Sequence, residues 1–275
     1  MSGARALELR GVGYTYAGAR KPSLGPVDLR LEPHRILGVA GANESGKTTL
    51  CLVASGLAPA SIGGRVEGAV IVDGADTRSL PAHGFVGDRG MLFQHASAQL
   101  SHTTATVFEE VAFGPCNLGL PAAEIAERVW RALAAVGIEA LAPRDPARLS
   151  GGQSQLVALA GVLALRPRYL ILDEPTSELD PAGTALVADA IAHAARETGA
   201  GVLLVEHKTE VLAGIADEIA VLDRGQVALR GPAADVLADP RLAELGVEAP
   251  AWTRLERRLR EAGFEETESL LGALR

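Results

Sequence analysis

The chain has 275 residues, 48% of them hydrophobic and 22% charged, enough to bury a full core in one large domain or in one domain with an appendage. Its formal net charge of -8, with no run of Lys or Arg, argues against a nucleic-acid-binding surface and so against a nucleic-acid partner. Two cysteines, Cys51 and Cys116, supply neither a disulfide framework nor a zinc-site spacing; a reducing compartment suits them, and both read as small buried apolar groups.

The N-terminus lacks the charged-then-apolar pattern of a signal peptide, and no apolar stretch reaches the roughly 20 residues that a membrane helix needs. Any membrane role is therefore expected to be peripheral. Leu7-Glu8-Leu9-Arg10, Tyr14-Thr15-Tyr16 and Val27-Asp28-Leu29-Arg30-Leu31 alternate apolar and polar side chains, the pattern of short antiparallel strands. Tyr16 offers a ring face that stacks on a purine without choosing a base edge; a half-buried strand tyrosine is the plainer reading of the same residue.

The apolar run Ile36-Leu37-Gly38-Val39-Ala40 leads into Gly41-Ala42-Asn43-Glu44-Ser45-Gly46-Lys47-Thr48-Thr49 and then Leu50-Cys51-Leu52-Val53-Ala54. Strand, glycine-bounded loop and helix follow in the order of the phosphate-binding loop GxxxxGKT, in which backbone NH groups and a helix N-terminus face an anion. Lys47 is the candidate for the lysine that reaches the outer phosphates, and Thr48 for the hydroxyl that holds Mg2+. A glycine-rich turn with a chance lysine would not need the flanking strand and helix.

Val66 to Val72 with the turn Asp73-Gly74 predicts another strand pair, and Gly90-Met91-Leu92-Phe93 a short buried strand that ends at Gln94. A glutamine at a strand end can reach a metal or an attacking water with its carbonyl; a residue that merely caps its loop is the other reading. From His95 to Leu165 the pattern turns helical and alanine-rich, and Phe113 and Trp130 are expected in the core of this insert.

Leu149-Ser150-Gly151-Gly152-Gln153 places Ser150 at the N-cap of the next helix, with two glycines leaving bare NH groups for an anion. Here the sequence resembles the ABC transporter ATPase family, whose signature motif is LSGGQ. Physically it is a second phosphate site that the first cannot use within its own chain, so a two-chain sandwich is implied. Tyr169-Leu170-Ile171-Leu172 then ends in Asp173-Glu174, and a carboxylate at the end of a buried strand beside the phosphate loop is where Mg2+ needs an anchor, which marks Asp173. Glu174 can polarise water, and the resemblance implies that it is the general base for ATP hydrolysis and that Ser177 to Asp180 cross the dimer interface. Gly201 to Val205 ends at Glu206-His207; His207 matches the family's switch histidine, which contacts the γ-phosphate, although a lone histidine is more often structural.

The resemblance covers residues 6 to about 238, with Tyr16, Gly41 to Thr48, Gln94, Ser150 to Gln153, Asp173-Glu174, Ser177 to Asp180 and His207 in family order. Residues 93–100 and 109–121 look like the ATPases of energy-coupling factor (ECF) transporters, which import vitamins and transition-metal ions. It implies an α/β P-loop NTPase fold with an N-terminal antiparallel β subdomain, a helical subdomain over about 95–165 and a C-terminal helical extension over 239–275, beyond an ATPase domain of residues 1–238. Also implied are ATP and Mg2+ as cofactors and a place on the cytoplasmic face of the membrane. The implied partners are a second ABC ATPase subunit, an integral membrane coupling subunit and a substrate-binding membrane subunit.

Gln99 and the surface from His95 to Thr106 are the candidates for contact with the membrane subunit. The tail with Trp252, Leu255, Leu259 and Phe264 resembles an extension that adds to the dimer contact; an amphipathic helix packed back on its own domain would read the same. Three residues depart from the family pattern: Glu44 where glycine is usual, Leu156 where arginine is common, and Glu178 where a small residue is expected. These favour a different chain as the partner ATPase over a second copy. A soluble ABC ATPase without transport and a low-activity nucleotide-binding partner are the rival readings, while LSGGQ disfavours a P-loop kinase.

Overall fold

The structure, a computed structural model, describes residues 5–77, 88–95 and 98–262. Its N-terminal strands form an antiparallel sheet in the order β2-β1-β4-β5, from β1 (Leu7–Thr15), β2 (Leu24–Leu31), β4 (Arg65–Val72) and β5 (Ala75–Asp76). Leu7 pairs with Leu31 and Leu9 with Leu29. The alternation puts these leucines in the core, while Glu8 turns away to meet Arg30 at 2.7 Å.

A second sheet runs β10-β9-β3-β8-β7-β6. It is built from β3 (Ile36–Gly41), β6 (Arg89–Leu92), β7 (Tyr169–Asp173), β8 (Gly201–Val205), β9 (Glu218–Asp223) and β10 (Gln226–Pro232). All pairings are parallel except that of β9 with β10. Strands β3, β7 and β8 are buried at every position, which is why they read as unbroken apolar runs. Successive side chains nevertheless serve opposite faces. Tyr169, Ile171, Leu203 and Val205 pack toward the antiparallel sheet and the helix α1 (Lys47–Ser55), which is followed by the short α2 (Leu57–Ala60). Leu170, Leu172, Val202 and Leu204 pack toward the remaining helices.

Those helices include α3 (Val107–Asn117), α4 (Ala122–Ala135) and α5 (Gly151–Ala164), joined through Val107, Val111, Val129, Leu133, Leu156 and Leu159. Thr106 caps α3 by accepting from the Glu109 NH, while the Glu109 carboxylate reaches back to the Thr106 NH. Two expectations fail here. Phe113 is 46% exposed and Trp130 48%. The inner face of α3 is set by Val107, Val111 and Pro115, and Phe113, two residues from Val111, points about 200° around the helix from it. Trp130 lies beside the inward-facing Val129 and Leu133 and rests on Phe108, ring centroids 5.4 Å apart. Cys116 is exposed for the same reason, next to buried Pro115, whereas Cys51 is buried as expected and burial pushes its thiol well up.

The chain continues through α6 (Pro181–Thr198), α7 (Thr209–Ile215) and α8 (Ala233–Ala238) to α9 (Ala251–Glu261). Between α8 and α9, Leu242, Val247 and Ala249 enter the main core. Helix α9 itself has no buried residue: Trp252 and Leu259 are half-buried, Leu255 is exposed, and Phe264 lies outside the described residues. Its first NH, from Ala251, donates to Glu210 of α7 at 3.1 Å.

Leu156, one of the departures from the family pattern, is 1% exposed in the α3–α5 core. Packing inside the chain accounts for it. Leu156→Ala is expected to lower stability by about 2–5 kcal/mol in chemical denaturation, and a loss of under about 1 kcal/mol would show that the residue is not a core element.

Candidate active site

The phosphate loop joins the buried end of β3 to an α1 N-terminus that the protein leaves bare. Gly46, the N-cap residue, has φ 103°, and no side chain caps α1 or places a carboxylate in its first turn. A Cβ on Gly46 would also come 2.8 Å from the Ser23 carbonyl, so both conformation and space call for glycine. The unsatisfied NH groups and the positive end of the helix dipole thus face outward toward any anion. Lys47 is 5% exposed and donates to the carbonyls of Gly41 at 2.9 Å and Ala42 at 2.8 Å. Burial lowers its pKa, with Glu174 and Asp173 pulling the other way.

Across from Lys47 stand the ends of β7 and β8. Asp173 is 4% exposed beside the Thr48 side chain, and its Oδ1 has no hydrogen-bond partner. Burial raises its pKa, and the nearby Thr48 hydroxyl partly offsets this. A buried carboxylate oxygen left open beside a threonine hydroxyl is a hard-oxygen set that fits Mg2+, which takes one or two carboxylates together with substrate phosphates. Among the described residues there is no group of three His, Cys, Asp or Glu side chains suited to a softer metal.

Glu174 adopts a left-handed backbone, φ 49°, a conformation that costs a residue with a Cβ on the order of 1–3 kcal/mol and is held here by its NH donating to the Val205 carbonyl at 2.9 Å. His207 Nε2 lies 2.9 Å from Glu174 Oε1. Both line a cavity of about 570 Å³ with Asn43, Glu44, Lys47 and Thr48, and two further cations, Lys21 and Arg224, share its wall. No motif marks those two, because each sits in a turn of ordinary composition.

The other candidates fall around this centre. Ala42 and Ser45 complete the loop, and Ser45 Oγ is buried without a hydrogen-bond partner. Glu44 has φ 63° and is exposed, so its position demands the backbone that glycine adopts most easily. Tyr16 does not line the cavity; its ring stands edge-on to Tyr14 and its hydroxyl meets Thr49 Oγ1, which does line it, at 3.1 Å. Gln94 is half-buried just beyond β6, the neighbour of β7. Gln99 is half-buried; its amide accepts from the Phe93 NH and donates to the Met91 carbonyl, each at 3.0 Å, and so braces the glutamine loop from within.

Ser150 caps α5, accepting from the Gln153 NH at 3.3 Å while the Gln153 carbonyl accepts from the Ser150 NH at 3.1 Å. Ser150 and Gly151 are exposed, and Gly152 lies beside Gly183 at the start of α6, so this helix start is open to a neighbour. Sequence reasoning missed one buried group, Glu206, whose carboxylate accepts from Thr176 Oγ1 at 2.6 Å.

The ABC transporter family model matches residues 24–177, more than half of the chain. The chain belongs to that family. It is 42% identical over 238 residues to the nickel import ATP-binding protein NikO of Rhodobacter capsulatus, covering 85% of this chain and 91% of that protein. It is 38% identical over 270 residues to the energy-coupling factor transporter ATP-binding protein EcfA1 of Symbiobacterium thermophilum, covering 95% and 91%. The structure of cbiO1 from Clostridium perfringens, part of the ABC transporter complex cbiONQ, superposes with a TM-score of 0.78 at 28% identity, over 93% of this chain and 100% of that one. This ABC protein is an ATPase, and the likeness to energy-coupling factor ATPases read from residues 93–100 and 109–121 is borne out by its relatives. No helix among the described residues is long and apolar enough to cross a membrane.

Glu44 sets a carboxylate in the wall of the cavity that the bare α1 start and Lys47 line, where the phosphates of ATP are expected. Replacing it with glycine removes both the left-handed strain and a like charge within a Debye length of the phosphates. Glu44→Gly is therefore expected to tighten ATP binding by roughly three- to tenfold at low salt, with the gain shrinking as salt is added. Unchanged affinity in a nucleotide titration would show that the carboxylate does not act on the phosphates.

Proposed function

We propose that this ATPase is the subunit that powers import of a micronutrient, a vitamin or a transition-metal ion, by an ECF-type transporter at the cytoplasmic face of the membrane. The observation that carries the proposal is the cavity itself, where an uncapped helix N-terminus, a buried lysine and the carboxylate that holds His207 converge. ATP would lie with its base toward Tyr16 and its phosphates on Gly41 to Thr49. Lys47 reaches the outer phosphates from its carbonyl supports. Thr48, Asp173 and the carbonyl of Gln94 would hold Mg2+, which when bound neutralises phosphate charge.

Glu174, with His207 Nε2 2.9 Å from its carboxylate, polarises the water that attacks the γ-phosphate, and His207 responds to the presence of that phosphate. Ser150 to Gln153 of a second ATPase subunit, a copy or a different chain, close over the nucleotide with a second bare helix start. Of the three departures that suggested a different chain, Leu156 is explained by its own core and Glu178 by its 2.9 Å contact with His95. Phe93, Phe113, Leu118 and Trp130 are large apolar side chains exposed on the glutamine loop and on α3 and α4 or just past them, and they support docking of the membrane coupling subunit there. The names of the relatives, one a nickel importer and one an energy-coupling factor protein, support the import reading. The carboxylate of Glu44 in the cavity wall favours a second reading, a low-activity partner of another ATPase.

Glu174→Gln distinguishes the two. It is expected to retain ATP affinity while phosphate release falls by a factor on the order of 10³ or more. Turnover close to that of the unmodified protein would remove Glu174 from the role of base, and a wild-type chain with no turnover beside its partners would favour the second reading.

A further inference from the structure

The loop that carries Ser177 to Asp180 is tied inside its own chain at two places. At its base, Lys208 Nζ donates to the Thr176 carbonyl at 2.7 Å, the Leu179 carbonyl at 3.0 Å and Thr184 Oγ1 at 2.7 Å. Lys208 directly follows His207, and Glu206 fastens the same corner by accepting from Thr176 Oγ1 and from the NH groups of His207 at 2.8 Å and Lys208 at 3.1 Å. At the tip, Glu178 Oε1 lies 2.9 Å from His95 Nδ1. A carboxylate at neutral pH only accepts, so the ring nitrogen is the donor. His95 in turn directly follows Gln94.

We propose that residues 176–180 act as a strut between the His207 loop and the glutamine loop, with Lys208 as its fixed end and the Glu178–His95 contact as its releasable end. His95, Glu178 and Lys208 are then positioning residues. They touch no substrate but pass a change at the γ-phosphate to the loop that faces the membrane subunit. The inference rests on the reading that nucleotide binds against Glu174 and His207. The asymmetry of the two ends follows from burial. Lys208 is partly buried with three acceptors, too well satisfied to let go. The His95 and Glu178 side chains are 62% and 59% exposed, so their contact is weak and within reach of a competing partner group. Glu178, unusual for this loop, thus has its use within the chain, which also explains why a small residue would not serve here.

Amide hydrogen exchange of the full-length Glu174→Gln chain, with and without ATP and Mg2+, tests this. Three bonded NH groups report the three stations: Ser45 on Ala42 for the phosphate loop, Leu179 on Thr176 for the strut, and Phe93 on the Gln99 side chain for the glutamine loop. Nucleotide is expected to slow all three. Adding His95→Ala, a surface change that does not threaten folding, should leave the slowing at Ser45 and Leu179 and diminish that at Phe93 by roughly threefold, the size an exposed ion pair supports. Exchanging the pair, His95→Glu with Glu178→His, should restore it, and Lys208→Met should diminish the response at Leu179 and Phe93 together.

An undiminished response at Phe93 in His95→Ala would overturn the strut, as would an exchanged pair that fails to restore it. Loss of the Ser45 response in the Glu174→Gln chain itself is a different result, and it would overturn the nucleotide reading instead.

Discussion

An ammonium group can be buried at the end of a parallel sheet only where fixed acceptors replace the water it loses, and Lys47 meets that condition with two backbone carbonyls of its own loop, those of Gly41 and Ala42. Because these carbonyls turn inward to the lysine, the loop is drawn around its own side chain and the α1 helix start faces outward. The ends of β8, the parallel neighbour of β3, and of β7, one strand further on, then set Asp173, Glu174 and His207 opposite. Each of these groups is arranged at a cost. Asp173 carries an open oxygen out of water, and Glu174 a left-handed backbone. Such costs are tolerated where a substrate or ion completes the arrangement.

What the cavity lacks is a cover. The α5 start, with its glycines and its satisfied capping box, is exposed, and it stands beside the start of α6 with no part in the wall of the cavity that Lys47 and Glu174 line. In the proposed mechanism that wall is completed by the same surface of a second ATPase chain. Loop 176–180 lies between these two regions of the protein. It touches the α5 start through Leu179, the His207 corner through Lys208 and the glutamine loop through Glu178, so movement at any of the three is felt at the others.

The parallel strands and the order of the motifs were legible in the sequence because strands buried on both faces leave unbroken apolar runs and because the phosphate loop is fixed by short-range constraints such as the backbone of Gly46. Contacts across long separations were not legible. His95 and Glu178 are 83 residues apart and Thr176 and Glu206 are 30 apart, and they meet only because strand order brings their loops together. Helical periodicity located α3 and α4 but could not say that valines, alanines and leucines would fill their interior and leave Phe113 and Trp130 outside. The tie of Gln99 to its own loop was hidden for a related reason. A polar side chain in a loop can turn outward to a partner or back onto its own backbone, and composition does not distinguish the two.

Completion of each site across two chains is tested most directly by ATP turnover per chain as the purified protein, alone and with its partner subunits, is diluted from micromolar to nanomolar concentration while sedimentation follows its size. If the α5 start of one chain closes the cavity of another, turnover per chain falls with dilution in step with dissociation and returns when ATPase partner is added back. A turnover per chain that stays constant in a sedimenting monomer would contradict it.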